Sequence, residues 1–132
     1  MTNAPVIDRE TIDMLREMDA IATEDHLLLE LIDDFLFHSA DLVKAIQFSL
    51  QMRMESELAA QSHSLKGASL NIGALVLFQV CDTIETLARQ HKLSHLEHWS
   101  TELDNAYQQT ALILGEMRDR TVRGETIDDL LG

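Results

Sequence analysis

At 132 residues the chain has the length of one domain, long enough to bury a single core without disulfide or metal staples. Its 45% hydrophobic but only 5% aromatic content, with five glycines and one proline, fits a helical bundle packed with Leu, Ile, Met and Ala. A formal charge of -13 argues against nucleic acid or anionic membrane as a ligand, because contact with a phosphate backbone needs Lys and Arg to displace counterions. The one cysteine, Cys81, rules out an internal disulfide framework and reads as a small buried filler one turn from Leu77. There is no basic-then-apolar N-terminal signal and no run of eighteen apolar residues, so a cytoplasmic location is expected.

Five helical segments are predicted in chain order. The lone Pro5 precedes a short first one, Asp8 to Met18, which carries Ile7, Leu15 and Met18 on one side and Asp8 as its N-cap. A long second segment runs from Thr23, a possible cap, to Met52. Its Leu28, Ile32, Phe35, Leu42 and Ile46 keep three-four spacing around the small Ser39. The third covers Glu55 to Asn71 and is broken by Gly73, where a helix C-terminus commonly turns left-handed. The fourth, Ala74 to Gln90, carries Leu77, Cys81, Ile84, Leu87 and Ala88. The fifth, Ser94 to Arg118, uses Trp99, Leu103, Ala106, Thr110, Ile113, Leu114 and Met117. Short connections between long helices imply antiparallel neighbours, hence an all-α, up-down four-helix bundle over residues 1–118 with a short additional N-terminal helix. Residues 119–132 hold Gly124 and several charges before Ile127, Leu130 and Leu131, and are expected to be an acidic, frayed and flexible tail.

The third segment carries the chemistry. Leu58, Ser62, Leu65, Ser69 and Ile72 recur at steps of four and three, the core stripe of an amphipathic helix. His63 and Lys66 lie off that stripe, as does Ala60, and Gly67 and Leu70 continue the outer face. The histidine therefore points to solvent. Residues three and four apart are surface neighbours, so His63, Lys66 and Gly67 present an imidazole nucleophile, a fixed positive charge and bare backbone together. Such a trio suits receipt and release of a phosphoryl group through a docked partner. A glycine inside a helix costs about 1 kcal/mol relative to alanine, and close approach of that partner is the simplest reason for Gly67.

His63 through Ala74, with Cys81, Ile84 and Glu85 further along, resembles the histidine-containing phosphotransfer (HPt) domain family of bacterial multistep phosphorelays. The match is nearly complete through His63-Ser64-Leu65-Lys66-Gly67-Ala68-Ser69 and Gly73-Ala74, with Ser62 where alanine is more usual. The resemblance implies that His63 accepts a phosphoryl group from the phospho-aspartate of a receiver domain and passes it to another receiver. It implies Lys66 as a point charge for the phosphoryl oxygens and Gly67 as clearance for the partner. Polar side chains at Glu85 and Arg89 approach the histidine in some family members. Glu85 would then orient the imidazole and Arg89 add positive charge, although an exposed i,i+4 ion pair explains these two equally well. The implied partners are response-regulator receivers or a hybrid sensor histidine kinase. The resemblance further implies that the receiver supplies Mg²⁺ and that the chain, expected to be a monomer, is a phosphocarrier with no cofactor of its own, not an enzyme.

Other chemistries fit poorly. His91, His95 and His98 straddle the fourth and fifth segments without a cysteine or carboxylate pair to complete a metal shell. No Glu stands three residues before any histidine, as a di-iron bundle site requires. No Gly-rich phosphate loop occurs either. The rival reading is a helical adaptor that sequesters a receiver without chemistry. A third is a piece cut from a larger hybrid kinase; Met1 and the tail favour a free-standing protein. Docking is expected on a modest apolar patch of Ala60, Gly67 and Leu70, with Ile12 or Leu15 of the first segment contributing.

Overall fold

The computed structural model describes residues 5–21 and 26–131. Among these residues five α-helices form: α1 (Arg9–Ile21), α2 (Leu27–Gln51), α3 (Glu55–Ile72), α4 (Leu75–Arg89) and α5 (Leu96–Val122). Among the described residues there is no strand, only a single bridge between Ile7 and Ala74. Helices α2 to α5 close a ring in which α3 packs most extensively on α4, and α5 lies against both α2 and α4. That is the expected up-down bundle. No helix among the described residues is long and apolar enough to cross a membrane.

The core follows the sequence periodicity closely. Leu58, Leu65 and Ile72 of α3, Leu77, Cys81, Ile84 and Ala88 of α4, and Leu103, Ala106, Leu114 and Met117 of α5 are all buried. In α2 the stripe passes through Val43, with Leu42 only partly covered. A polar seam joins α2 to α5: Ser39 hydrogen-bonds Tyr107 at 3.0 Å, and Gln47 donates to the Ser100 carbonyl at 2.9 Å.

Both ends of the chain close the same end of the bundle. Asp8 caps α1 as expected, accepting from the Thr11 hydroxyl at 2.7 Å and the Thr11 N–H at 3.3 Å. The buried side of α1 is Ile12 and Leu15, whereas Met18 is 48% exposed. At about 100° per residue Met18 sits some 120° around the helix from Ile12, off the narrow strip that faces the bundle end. The cap of α2 comes from α1. Asp19 accepts the N–H groups of Leu27 and Leu28 at 2.6 and 3.1 Å, placing a carboxylate on the positive end of the helix dipole. Thr23, the cap suggested by the sequence, lies outside the described residues.

The tail expected to be flexible is folded over its described residues, 119–131. Helix α5 continues to Val122, Gly124 turns left-handed (φ 74°), and Asp128–Leu131 forms one 3-10 turn that buries Ile127 and Leu131. Asp128 meets Arg16 at 3.3 Å and accepts at its carbonyl from Arg9 at 2.8 Å, while Arg120 holds Asp129 at 2.6 Å. Burial of two apolar side chains outweighs the fraying expected of a charged terminus.

Candidate functional site

The site is built across α3 and α4. Asp and Glu suit the start of a helix, where the dipole is positive, and α3 opens with Glu55 and Glu57. It ends at Gly73 (φ 76°): the Ala74 N–H reaches the Ser69 carbonyl at 2.8 Å and the Gly73 N–H reaches Leu70 at 3.1 Å. This Schellman closure needs the left-handed residue, and it turns the chain straight into α4. The N-terminal segment clamps that turn, with the Asp8 N–H on the Gly73 carbonyl at 2.8 Å and the Leu75 N–H on the Val6 carbonyl at 3.1 Å.

All five stripe residues of α3, Leu58, Ser62, Leu65, Ser69 and Ile72, are buried. His63 is on the outside, its side chain 64% exposed. Ala60, Gly67 and Leu70 are exposed with it. A Cβ built on Gly67 would meet nothing within 4 Å, so the absence of a side chain there is not required by the fold.

Glu85 is the hub. Its carboxylate is only 8% exposed and receives three cationic or N–H groups. His63 Nδ1 lies 3.1 Å from Oε2, Arg89 Nε donates to the same oxygen at 2.9 Å, and Lys66 Nζ pairs with Oε1 at 2.7 Å. Burial pushes the Glu85 carboxyl up, but the Lys66 ammonium and the Arg89 guanidinium more than reverse this, and its net displacement is below the ordinary value. An ionised carboxylate can only accept, so Nδ1 of His63 must carry the ring proton. The Nε2 lone pair is then left facing away from Glu85.

Lys66 is less free than its place in the motif suggests. Besides Glu85 it meets Asp82 Oδ1 at 3.3 Å, and its side chain is 22% exposed. Its ion pair with Glu85 first, and with Asp82 after it, raises its pKa and outweighs the opposing desolvation. Arg89 forms the i,i+4 pair with Glu85 and is otherwise half exposed. Asp82 was not anticipated: it sits three residues before Glu85 on α4, and its contact with Lys66 depends on the register of two helices.

The remaining candidates lie elsewhere. His91, in a left-handed conformation (φ 55°), pairs with Glu55 at 2.6 Å and ties the end of α4 to the first turn of α3. His95 occupies the N-cap position of α5, and His98 packs edge-on against Trp99. Among the described residues no three His, Cys, Asp or Glu side chains gather to hold a metal ion. Ile12 and Leu15 are buried (0% and 5% exposed), so the docking contribution expected of them is not available; α1 shows Met14 and Met18 outward instead. The Ser62 hydroxyl, beside the histidine, is buried without a hydrogen-bond partner.

An all-α bundle with an exposed, carboxylate-held imidazole at mid-helix defines a narrow class of domain. The family model described as Hpt domain matches residues 30–112, well over half of the chain, and the chain belongs to that family of phosphorelay proteins. The fold is similar to the crystal structure of histidine-containing phosphotransfer protein B (HptB) from Pseudomonas aeruginosa PAO1. The TM-score is 0.78 over 89% of this chain and 98% of that one, at 25% identity. No curated protein matches the chain.

Proposed function

We propose that this chain is a phosphocarrier in which Nε2 of His63 accepts a phosphoryl group from the phospho-aspartate of a receiver domain and returns it to a second receiver. The observation that carries this reading is the pairing of a 64%-exposed imidazole with a buried carboxylate on Nδ1. As Nε2 attacks phosphorus, the P–N bond forms and the P–O bond to the receiver aspartate breaks, with the electron pair leaving on the carboxylate. Nδ1 keeps its proton throughout. The ring becomes cationic in the product, and Glu85 faces that developing charge from a fixed position, so no reorganisation is needed during transfer. Onward donation is the same step reversed, with the second receiver's carboxylate attacking phosphorus. Such transfer rests on positioning and charge stabilisation more than on covalent chemistry by the protein.

In this reading the Mg²⁺ that neutralises the phosphoryl oxygens belongs to the receiver, and the chain has no cofactor or kinase activity of its own. The receiver settles on Ala60, Gly67 and Leu70. Leu70 is 55% exposed, and next to this face α2 and α3 enclose an apolar groove of about 230 Å³ lined by Leu31, Phe35, Leu42 and Ala68. The protein acts in the cytoplasm as a monomer, with receivers or a hybrid kinase as partners and no nucleic acid or membrane ligand. The test is label transfer from a phosphorylated receiver to the wild-type protein and to His63→Gln. Acid-labile phosphate is expected on the wild type alone, with unfolding changed by no more than about 0.5 kcal/mol, as for an exposed substitution. Equal label on the variant would refute the assignment.

A further inference from the structure

We propose that Asp82 is a positioning residue that holds the Lys66 ammonium back from the phosphoryl group on His63, and so lowers the share of phosphoryl the carrier keeps at equilibrium. The inference rests on the phosphocarrier reading and deepens it. On α4, Asp82, Glu85 and Arg89 fall at steps of three and four and share the face turned to His63 and Lys66 of α3. Glu85 Oε2 is taken by His63 Nδ1 and Arg89 Nε, and Arg89, an i,i+4 neighbour on the same helix, still balances the Glu85 charge when Lys66 is drawn off. Lys66 is therefore the cation left over for a phosphoryl group. It is not free, because its ammonium sits between Glu85 Oε1 at 2.7 Å and Asp82 Oδ1 at 3.3 Å.

The cluster of two cations and two carboxylates is thus neutral before any phosphoryl group arrives. A phosphoryl dianion must draw Lys66 from Asp82 or remain without it. Asp82 changes neither bond of the transfer: P–N still forms as P–O breaks, and the pair still leaves on the receiver carboxylate. It changes the free energy of the phosphorylated state. With its side chain 53% exposed, Asp82 can be re-solvated when Lys66 departs, so the restraint is weak and reversible, as onward donation requires.

The experiment is the equilibrium ratio of phosphohistidine to receiver phosphate, measured with one receiver and Mg²⁺. Asp82→Asn should raise that ratio about two- to fivefold, the range of an exposed ion pair. Asp82→Glu should hold the wild-type ratio. In a Lys66→Gln background Asp82→Asn should have no effect. The titration of Lys66 followed by NMR in the unphosphorylated protein gives a second readout, and Asp82→Asn should lower its midpoint. An unchanged ratio, a full shift without Lys66, or an unmoved Lys66 titration would each overturn the proposal. Wild-type protein that takes no label refutes the phosphocarrier reading itself, a result distinct from labelled protein whose ratio ignores Asp82.

Discussion

Replacing Gly67 separates fold from function more cleanly than any other change in this chain. Gly67 is in the interior of α3, and a Cβ there meets nothing within 4 Å. Gly67→Ala should therefore recover the helix-propensity cost of glycine, about 0.8–1.0 kcal/mol, without a clash. For a domain of this size that is a rise in Tm of about 3–5 °C. The same residue lies one turn beyond His63, roughly 6 Å along the helix axis, where the proposed transfer brings a receiver close. A side chain as long as Gln would be overpacked against the partner. If the cost resembles core overpacking, about 1–3 kcal/mol, transfer should slow about 5- to 150-fold. The assay is single-turnover transfer from a phosphorylated receiver, run beside thermal unfolding for Gly67→Ala and Gly67→Gln. Higher stability with undiminished transfer would show that Gly67 gives no clearance. Lower stability would show that the open space around it has been misjudged.

Three further outcomes follow from the same structure. Ile127→Ala should cost about 2–4 kcal/mol in urea unfolding, because Ile127 is 3% exposed beneath the last turn, and no loss would mean the C-terminal segment does not pack. The Glu85 carboxyl is held below its ordinary value of 4.5, so its contribution is fully present above that pH and lost as pH falls through the lower folded-state pKa. The stability gap between wild type and Glu85→Gln should accordingly narrow below pH 4.5, and a gap that widened there would contradict the ion-pair account. Burial first, and the nearby Glu85 charge second, push the Cys81 thiol up to about 12, so an aromatic disulfide reagent should react with it only after unfolding. Rapid reaction of the native protein would place Cys81 nearer the surface than its complete burial indicates.

Much of this was legible in the chain because helices repeat every 3.6 residues. The stripe Leu58, Ser62, Leu65, Ser69 and Ile72 is buried throughout, and the outward placement of His63 follows from that stripe alone. What periodicity cannot supply is the register between helices. The Glu85 and Arg89 spacing fitted an ordinary surface pair as well as a contact with the histidine, and only the docking of α3 on α4 brings both onto one hub. The Asp82 contact with Lys66 was hidden for the same reason. Short segments fail differently. In α1 the pattern Ile7, Leu15 and Met18 put Met18 on the inner side and gave Ile12 to docking, and the packing of the helix on α2 and α3 reverses the two. Ile127 and Leu131 were masked by Gly124 and by flanking charges that find partners only in the folded chain, Asp128 on Arg9 and Arg16, Asp129 on Arg120.

The clamped turn at Gly73 and Ala74 acts as a ruler for the site. His63 stands ten residues before Gly73, and Glu85 eleven after Ala74, so the two arms of this helical hairpin are of nearly equal length. One residue more in either arm would advance its side chains by about 1.5 Å and rotate them by about 100°. The imidazole and its carboxylate would then face different directions, although every other residue of both helices were kept. Alignment of the imidazole and its carboxylate is set some three turns away, by a glycine in the left-handed conformation and by the N-terminal segment hydrogen-bonded across it. The face that carries His63 is thereby left open for the proposed receiver, while the distance gauge is kept at the turn.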